Sequence, residues 1–133
     1  MRGAAIIALT ILSGACAHQQ GAASIIPAGR WGGEQVGLDI DPSGSGVVTL
    51  PCAGASFAGP LKLDAGGHFL TTGTFTQGSG APPAEPPTPV PASISGRLDG
   101  DGTLWLDIAT RDGPVVKSAQ LRLGREPVIY HCP

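Results

Sequence analysis

Leu50-Pro51-Cys52-Ala53-Gly54 ends one strand pattern, turns the chain and begins the next. The chain has three cysteines, and Cys16 lies in an export signal described below, so two remain for the mature domain. An even cysteine count in an exported domain indicates a disulfide framework. Cys52 and Cys132 each share strand parity with inward apolar residues, so we predict that they bond. Such a bond would link an early strand to the last one. It would close a loop that contains almost the whole segment between them.

Strand patterns continue on both sides of this stretch. Apolar and polar residues alternate with the period of a strand over residues 35–40 and 103–108, and short strands are also expected at 61–63, 115–123 and 128–132. Turn clusters such as Asp99-Gly100-Asp101-Gly102 separate these segments. Short strands joined by turns favour a sandwich or barrel. Closing the sheet into a barrel leaves no unpaired edge strand that could pair with another chain. The sequence therefore predicts an all-β fold, a small antiparallel up-and-down meander closing into a barrel of about eight or nine strands.

Composition limits the classes of function. The 133 residues fit one domain, and the formal charge of −2 without a basic run argues against nucleic-acid binding. Residues 78–92 hold six prolines and predict an exposed loop with polyproline II tendency. This loop is either a ligand for aromatic grooves or a long hairpin connection. We expect residues 30–133 to form one monomeric barrel domain.

The first 17 residues have the features of an export signal. Arg2 precedes an apolar run over residues 4–12 that is too short to span a bilayer as a helix. The stretch 12–16 resembles a bacterial lipobox, with its leucine four residues before Cys16 instead of three. Lipidation of Cys16 then predicts an outer-membrane lipoprotein, and residues 18–29 predict a flexible tether. The alternative is cleavage after Ala17, which would release a soluble periplasmic or secreted protein.

Several motifs resemble a family of small exported bacterial proteins without an assigned function. They are Trp31-Gly32, Pro51-Cys52-Ala53-Gly54, Gly59-Pro60-Leu61-Lys62-Leu63-Asp64 and Gly67-His68-Phe69. The resemblance covers roughly residues 30 to 77 and implies a shared fold, since its motifs describe turns and a buried face. Small envelope barrels that inhibit lysozyme or proteases are similar in size and export, which is an analogy of architecture alone.

No cluster of reactive residues stands out in the sequence. We expect no cofactor or metal, and His68 near Asp64 is the pair that best fits a hydrolase. Trp105 has the parity that we assign to the outer face, and exposed tryptophans are enriched at interfaces. The favoured hypothesis is a non-catalytic binding or structural module with an envelope-protein or cell-wall partner. The alternatives are a small periplasmic hydrolase-like enzyme and an inhibitor-type barrel.

Overall fold

A computed structural model describes residues 24–78, 85–111, 113–130 and 132, and confirms the all-β prediction. Eight antiparallel strands follow one another in order around a closed barrel. They are β1 (Gly29–Gly33), β2 (Val36–Ile40), β3 (Gly46–Leu50), β4 (Ala53–Phe57), β5 (His68–Gln77), β6 (Val90–Leu98), β7 (Thr103–Thr110) and β8 (Val115–Leu123). The part of the chain described here holds no helix that is long and apolar enough to cross a membrane.

Alternate side chains from all eight strands fill the barrel. The buried apolar residues are Ile26, Trp31, Val36, Leu38, Ile40, Val48, Leu50, Ala55, Phe57, Leu61, Phe69, Phe75, Ala92, Ile94, Leu104, Leu106, Ile108 and Leu121. This set confirms the predicted inward faces of residues 35–40 and 103–108. Leu123 has the same strand parity as the buried Leu121 but is 48% exposed, because β8 ends there. Trp31 is buried, and its indole N–H donates a hydrogen bond to the carbonyl oxygen of Pro27 at 3.0 Å.

The predicted disulfide is present. Cys52 and Cys132 are bonded, with their Cα atoms 4.9 Å apart. Cys52 lies in the tight turn between β3 and β4, and the backbone N–H of Gly78 donates to its carbonyl oxygen at 2.6 Å. The disulfide therefore fastens the C-terminal segment to the barrel end at which β5 also finishes.

Residues 124–130 and Cys132, which we call the C-terminal strap, run from the end of β8 to this disulfide. The strap crosses the outer face of β1 and β2, where Gly32 and Gly37 leave room for it: a Cβ at Gly32 would lie 2.0 Å from the carbonyl oxygen of Arg125. Gln35 N–H donates to the Val128 carbonyl at 2.7 Å, and Val128 N–H donates to the Gly33 carbonyl at 3.2 Å. The predicted strand over 128–132 is wrong for its described residues, 128–130 and 132, because they form one bridge with the β1–β2 turn instead of a ladder.

The N-terminal boundary also differs from the prediction. Ile26 is 2% exposed, and its N–H donates to the Leu61 carbonyl at 3.1 Å, so residues 24–29 pack on the barrel and do not form a free tether. The expected strand over 61–63 is wrong as well. Lys62 forms only an isolated bridge with Ile25, because this segment covers the barrel end and is not part of the sheet. The rest of the predicted tether, residues 18–23, lies outside the described residues.

The Pro-rich loop is shorter than the sequence predicts. β6 already begins at Val90, so Pro91 and Ala92 belong to a strand. Pro91 has no N–H to donate, but its carbonyl oxygen accepts a hydrogen bond from Arg111 N–H at 3.2 Å. A proline near the start of a strand leaves most of the ladder intact, which explains its place in β6. Residues 79–84 lie outside the described part of the chain.

Candidate functional site

A row of polar and aromatic side chains crosses the outer surface of β5 to β8. The strand registers place His68 opposite Arg97, Arg97 opposite Trp105, and Trp105 opposite Gln120. These four residues therefore form one row across four strands. We call the surface around Trp105, Arg97 and Asp107 the Trp105 face.

Trp105 is held in place by a pair of neighbours. Its indole N–H donates to Asp99 Oδ2 at 2.7 Å, and the guanidinium carbon of Arg97 lies 5.0 Å from the ring centroid. Arg97 Nε in turn donates to Asp99 Oδ1 at 3.0 Å. A cation above an aromatic face is attracted by the ring quadrupole. Trp105 is consequently half-buried on the outer face, with Arg97 over its ring and Asp99 of the β6–β7 turn bonded to its N–H.

Two depressions meet at Trp105. One, of about 440 Å³, is lined by Trp105, Asp107, Ser118, Gln120, Glu34 and Arg125. The other, of about 450 Å³, is lined by Trp105, Asp107, Arg97, Ser95 and His68. Small-molecule sites commonly have volumes of several hundred Å³, with a few polar groups that converge on an apolar floor. The Trp105 face thus offers concave binding surface on both sides of one fixed aromatic ring.

Asp107 lines both depressions from the centre of β7. Its carboxylate accepts a hydrogen bond from the hydroxyl of Ser118 on the neighbouring strand. A second aspartate, Asp39, lies on β2. Arg30 Nε donates a hydrogen bond to its carboxylate at 3.2 Å. Because β2 and β7 are not neighbours, the fold does not bring these two carboxylates together as a catalytic pair.

The pair expected for a hydrolase is solvated. His68 Nδ1 lies 3.6 Å from Asp64 Oδ1, and the two side chains are 61% and 65% exposed. The Asp64 carboxylate instead closes a turn, accepting the backbone N–H of His68 and that of Gly66, both at 2.9 Å. The hydrogen bond from the His68 backbone is the main cause that lowers the pKa of Asp64. Its carboxylate is thus a weaker base than an ordinary aspartate.

The Asp99–Gly102 stretch is the hairpin turn that the sequence predicts. Gly102 N–H donates to the Asp99 carbonyl at 3.0 Å, and Asp101 Oδ1 accepts the Thr103 N–H at 2.9 Å. Within the described residues, no three His, Cys, Asp or Glu side chains are grouped so as to hold a metal ion.

Sequence reasoning missed Arg97 and Asp99 as the neighbours of Trp105. The signal was available in the hairpin: a turn over residues 99–102 sets the register that places Arg97 opposite Trp105. The lipidation site predicted at Cys16 lies outside the described residues.

No known protein family matches the chain, and no curated protein or solved structure is significantly similar to it.

Proposed function

We propose that this protein is a non-catalytic binding module of the bacterial cell envelope, and that its partner binds at the Trp105 face. The observation that carries the proposal is the meeting of two depressions at a tryptophan whose ring is fixed by Arg97 and Asp99. A side chain that is already held in one conformation loses little entropy when a partner binds. Tryptophan and arginine are also the residue types that most often dominate binding energy.

Binding is favoured over hydrolysis by the state of His68 and Asp64. A general base that works near neutral pH needs a pKa close to that pH. Turn hydrogen bonds lower the pKa of Asp64, and both side chains are well exposed to solvent. These features suit a stable turn better than an acid–base pair.

We also propose that lipid on Cys16 holds the domain on a membrane, with the outer membrane as its location. The apolar run over residues 4–12 and the lipobox-like stretch that ends at Cys16 support this. Several acyl chains on one cysteine anchor stably, whereas a single chain binds weakly. Intact mass of the mature protein tests the anchor: we expect an acylated N-terminal Cys16, and an unmodified chain that begins at His18 would contradict it.

The binding proposal is tested by chemical crosslinking in intact cells that express wild-type protein, Trp105→Ala or Val47→Ala. Val47 is 55% exposed on β3 and lies outside both depressions, so it is the matched control. We expect a crosslinked partner with the wild type and with Val47→Ala, and its loss with Trp105→Ala.

Folding of the variants is checked by thermal unfolding, because Trp105 is half-buried. Asp107→Asn is a second variant that alters both depressions without removing packed volume. The proposal is overturned if no partner is crosslinked to the wild type, or if folded Trp105→Ala and Asp107→Asn capture the same partner as efficiently as the wild type.

A further inference from the structure

The depressions at Trp105 belong to a longer groove. The first two share Trp105 and Asp107 as lining residues. A third depression, of about 370 Å³, shares His68 with the second and continues beyond it. The row from Gln120 to His68 crosses four strands, which is about 14 Å at a strand spacing of roughly 4.8 Å. The three depressions, which we call the Trp105 groove, are therefore long enough for a chain-like ligand.

One side of the Trp105 ring borders the first depression. Arg97 lies over the ring from β6, 5.0 Å from its centroid, and does not line this depression. Gln120 of β8, the neighbour of Trp105 on the opposite side, does line it. The ring surface in the first depression is therefore turned away from Arg97. Because the indole N–H is bonded to Asp99, the ring is already held in place for a ligand to stack on it.

The walls of the first depression supply both donors and acceptors of hydrogen bonds. Glu34 and Asp107 bring carboxylate oxygens, which accept. Arg125 brings N–H groups, which donate, and the side-chain amide of Gln120 does both. Within the described residues, Glu34 and Arg125 form no ion pair, so a ligand can bond to them. Polar groups that each donate and accept match these walls better than a ligand of one charge does.

The two depressions at Trp105 lack the exposed apolar patch of a protein interface. The exposed large apolar side chains of the described residues are Ile25, Val47, Leu70, Val90, Val115, Val116, Leu123, Val128 and Tyr130. None of them lines either depression. The core of a protein–protein interface is usually more apolar, and charged residues are depleted there. A single aromatic ring among hydrogen-bonding groups therefore fits a hydroxylated ligand better than a protein surface.

We propose that the Trp105 groove binds a glycan chain, the chain of N-acetylated sugars in the cell wall. The C–H face of a pyranose ring packs on an aromatic ring, and its hydroxyl groups both donate and accept hydrogen bonds. One sugar stacks on Trp105 in the first depression, and the chain continues along the row toward His68. The inference rests on the proposed binding function, whose envelope location selects this glycan as the occupant.

The first test titrates the isotope-labelled mature protein with chitotetraose, the linear tetramer of N-acetylglucosamine, and follows it by NMR. The chain has two tryptophans, so Trp105 and Trp31 each give one indole N–H signal. We expect the tetramer to shift the Trp105 indole and the Gln120 side-chain amide. The Trp31 indole, which is buried inside the barrel, should not move and is the internal control. The absence of a shift at Trp105 would overturn the proposal.

Substitutions at Trp105 test the stacking of the sugar. Trp105→Ala removes the ring and should weaken tetramer binding at least about tenfold, measured at the Gln120 side-chain amide. Trp105→Tyr keeps an aromatic face and should weaken it less, and Val47→Ala, on the exposed surface of β3, should not weaken it. If folded Trp105→Ala binds the tetramer as tightly as the wild type, the groove is not the site.

Ionic strength separates the sugar chain from the charged peptides of the wall. Co-sedimentation of the protein with purified cell wall should persist when salt is raised from about 0.05 M to about 0.5 M, because screening acts on charges and not on hydroxyl groups. Release from the wall at the higher salt would mean that charged peptides hold the protein, and the glycan inference would be wrong.

The crosslinking experiment in cells identifies the class of partner. We expect the captured partner to be the cell wall, which crosslinks through the amines of its peptides and stays insoluble in hot detergent. Trp105→Ala should lose it, and Val47→Ala should retain it. Failure to capture the wall overturns the glycan inference, and capture of a soluble protein that requires Trp105 then leaves the binding function standing. If the wild type captures no partner at all, both proposals fall together.

Discussion

At the scale of single residues, three aspartates at exposed turns act as hydrogen-bond acceptors. The carboxylates of Asp41, Asp64 and Asp101 accept hydrogen bonds mainly from the Ser43 side chain, the His68 backbone and the Thr103 backbone, respectively, and each of these bonds lowers the pKa of its aspartate. A carboxyl group with a lowered folded-state pKa stabilises the fold above its unfolded-state pKa of about 3.9, and this contribution is lost as the pH falls through the folded value.

We therefore predict that the free energy of unfolding decreases as the pH is lowered from about 5 to below the aspartate pKa range. Asp64→Asn should weaken this dependence, because the amide oxygen still accepts hydrogen bonds but does not titrate. Urea unfolding between pH 5 and pH 2.5 measures it, with exposed Glu126→Gln as the control for a carboxylate outside a turn. Equal acid dependence in the wild type and Asp64→Asn would contradict the assignment.

The sequence predicted which side chains are buried more accurately than it predicted which side chains contact one another. The alternation over residues 103–108 placed Leu104, Leu106 and Ile108 inside, because side chains of a strand point alternately to its two faces. The cover on Trp105 depends on the register between β6 and β7, which a single segment does not contain. Cys52 has a φ of 60°, which few residues other than glycine adopt, and its sequence context gives no sign of this.

At the scale of elements, glycines in β1 and β2 decide where the C-terminal strap lies. We predict that Gly32→Ala destabilises the protein by roughly 1–3 kcal/mol, the usual range for overpacking, because the new methyl group meets the backbone of Arg125. Gly100→Ala is the matched control, because a Cβ at Gly100 has no atom within 4 Å. Its effect should stay within about 0.5 kcal/mol. Denaturant unfolding compares the two, and equal stability would mean that the strap does not press on Gly32.

The C-terminal strap shows why some elements were predicted correctly from the sequence and others were not. Ladders between neighbouring strands leave a local period in the sequence, and β2 and β7 were predicted from it. The segments around Lys62 and Val128 contain alternating apolar residues as well, but each forms only one bridge with a distant part of the chain. Alternation signals a residue that is buried on one side, and a strap over a barrel meets that condition without joining the sheet.

At the scale of the whole molecule, barrel closure and the disulfide act on the same region. β1 and β8 pair at two positions, and the strap that follows β8 is fastened by Cys132 to the β3–β4 turn. The disulfide thus prevents the last segment from separating from β1 and opening the shortest ladder. Sequence reasoning reached the cysteine pairing by counting cysteines, but the two-position ladder between β1 and β8 depends on unequal strand lengths that only the assembled barrel reveals.

We predict that removing the disulfide with the double substitution Cys52→Ala and Cys132→Ala lowers the free energy of unfolding substantially. The bond closes a loop with a sequence separation of 80. In the chain-entropy treatment a loop of this size contributes about 4.5 kcal/mol, because the cross-link restricts the unfolded chain. Chemical unfolding of the oxidised wild type, the reduced wild type and the double variant measures the effect, and the last two should agree. Two free thiols in folded protein isolated from the envelope would contradict the bond, and an unchanged unfolding midpoint in the double variant would show that the strap holds without it.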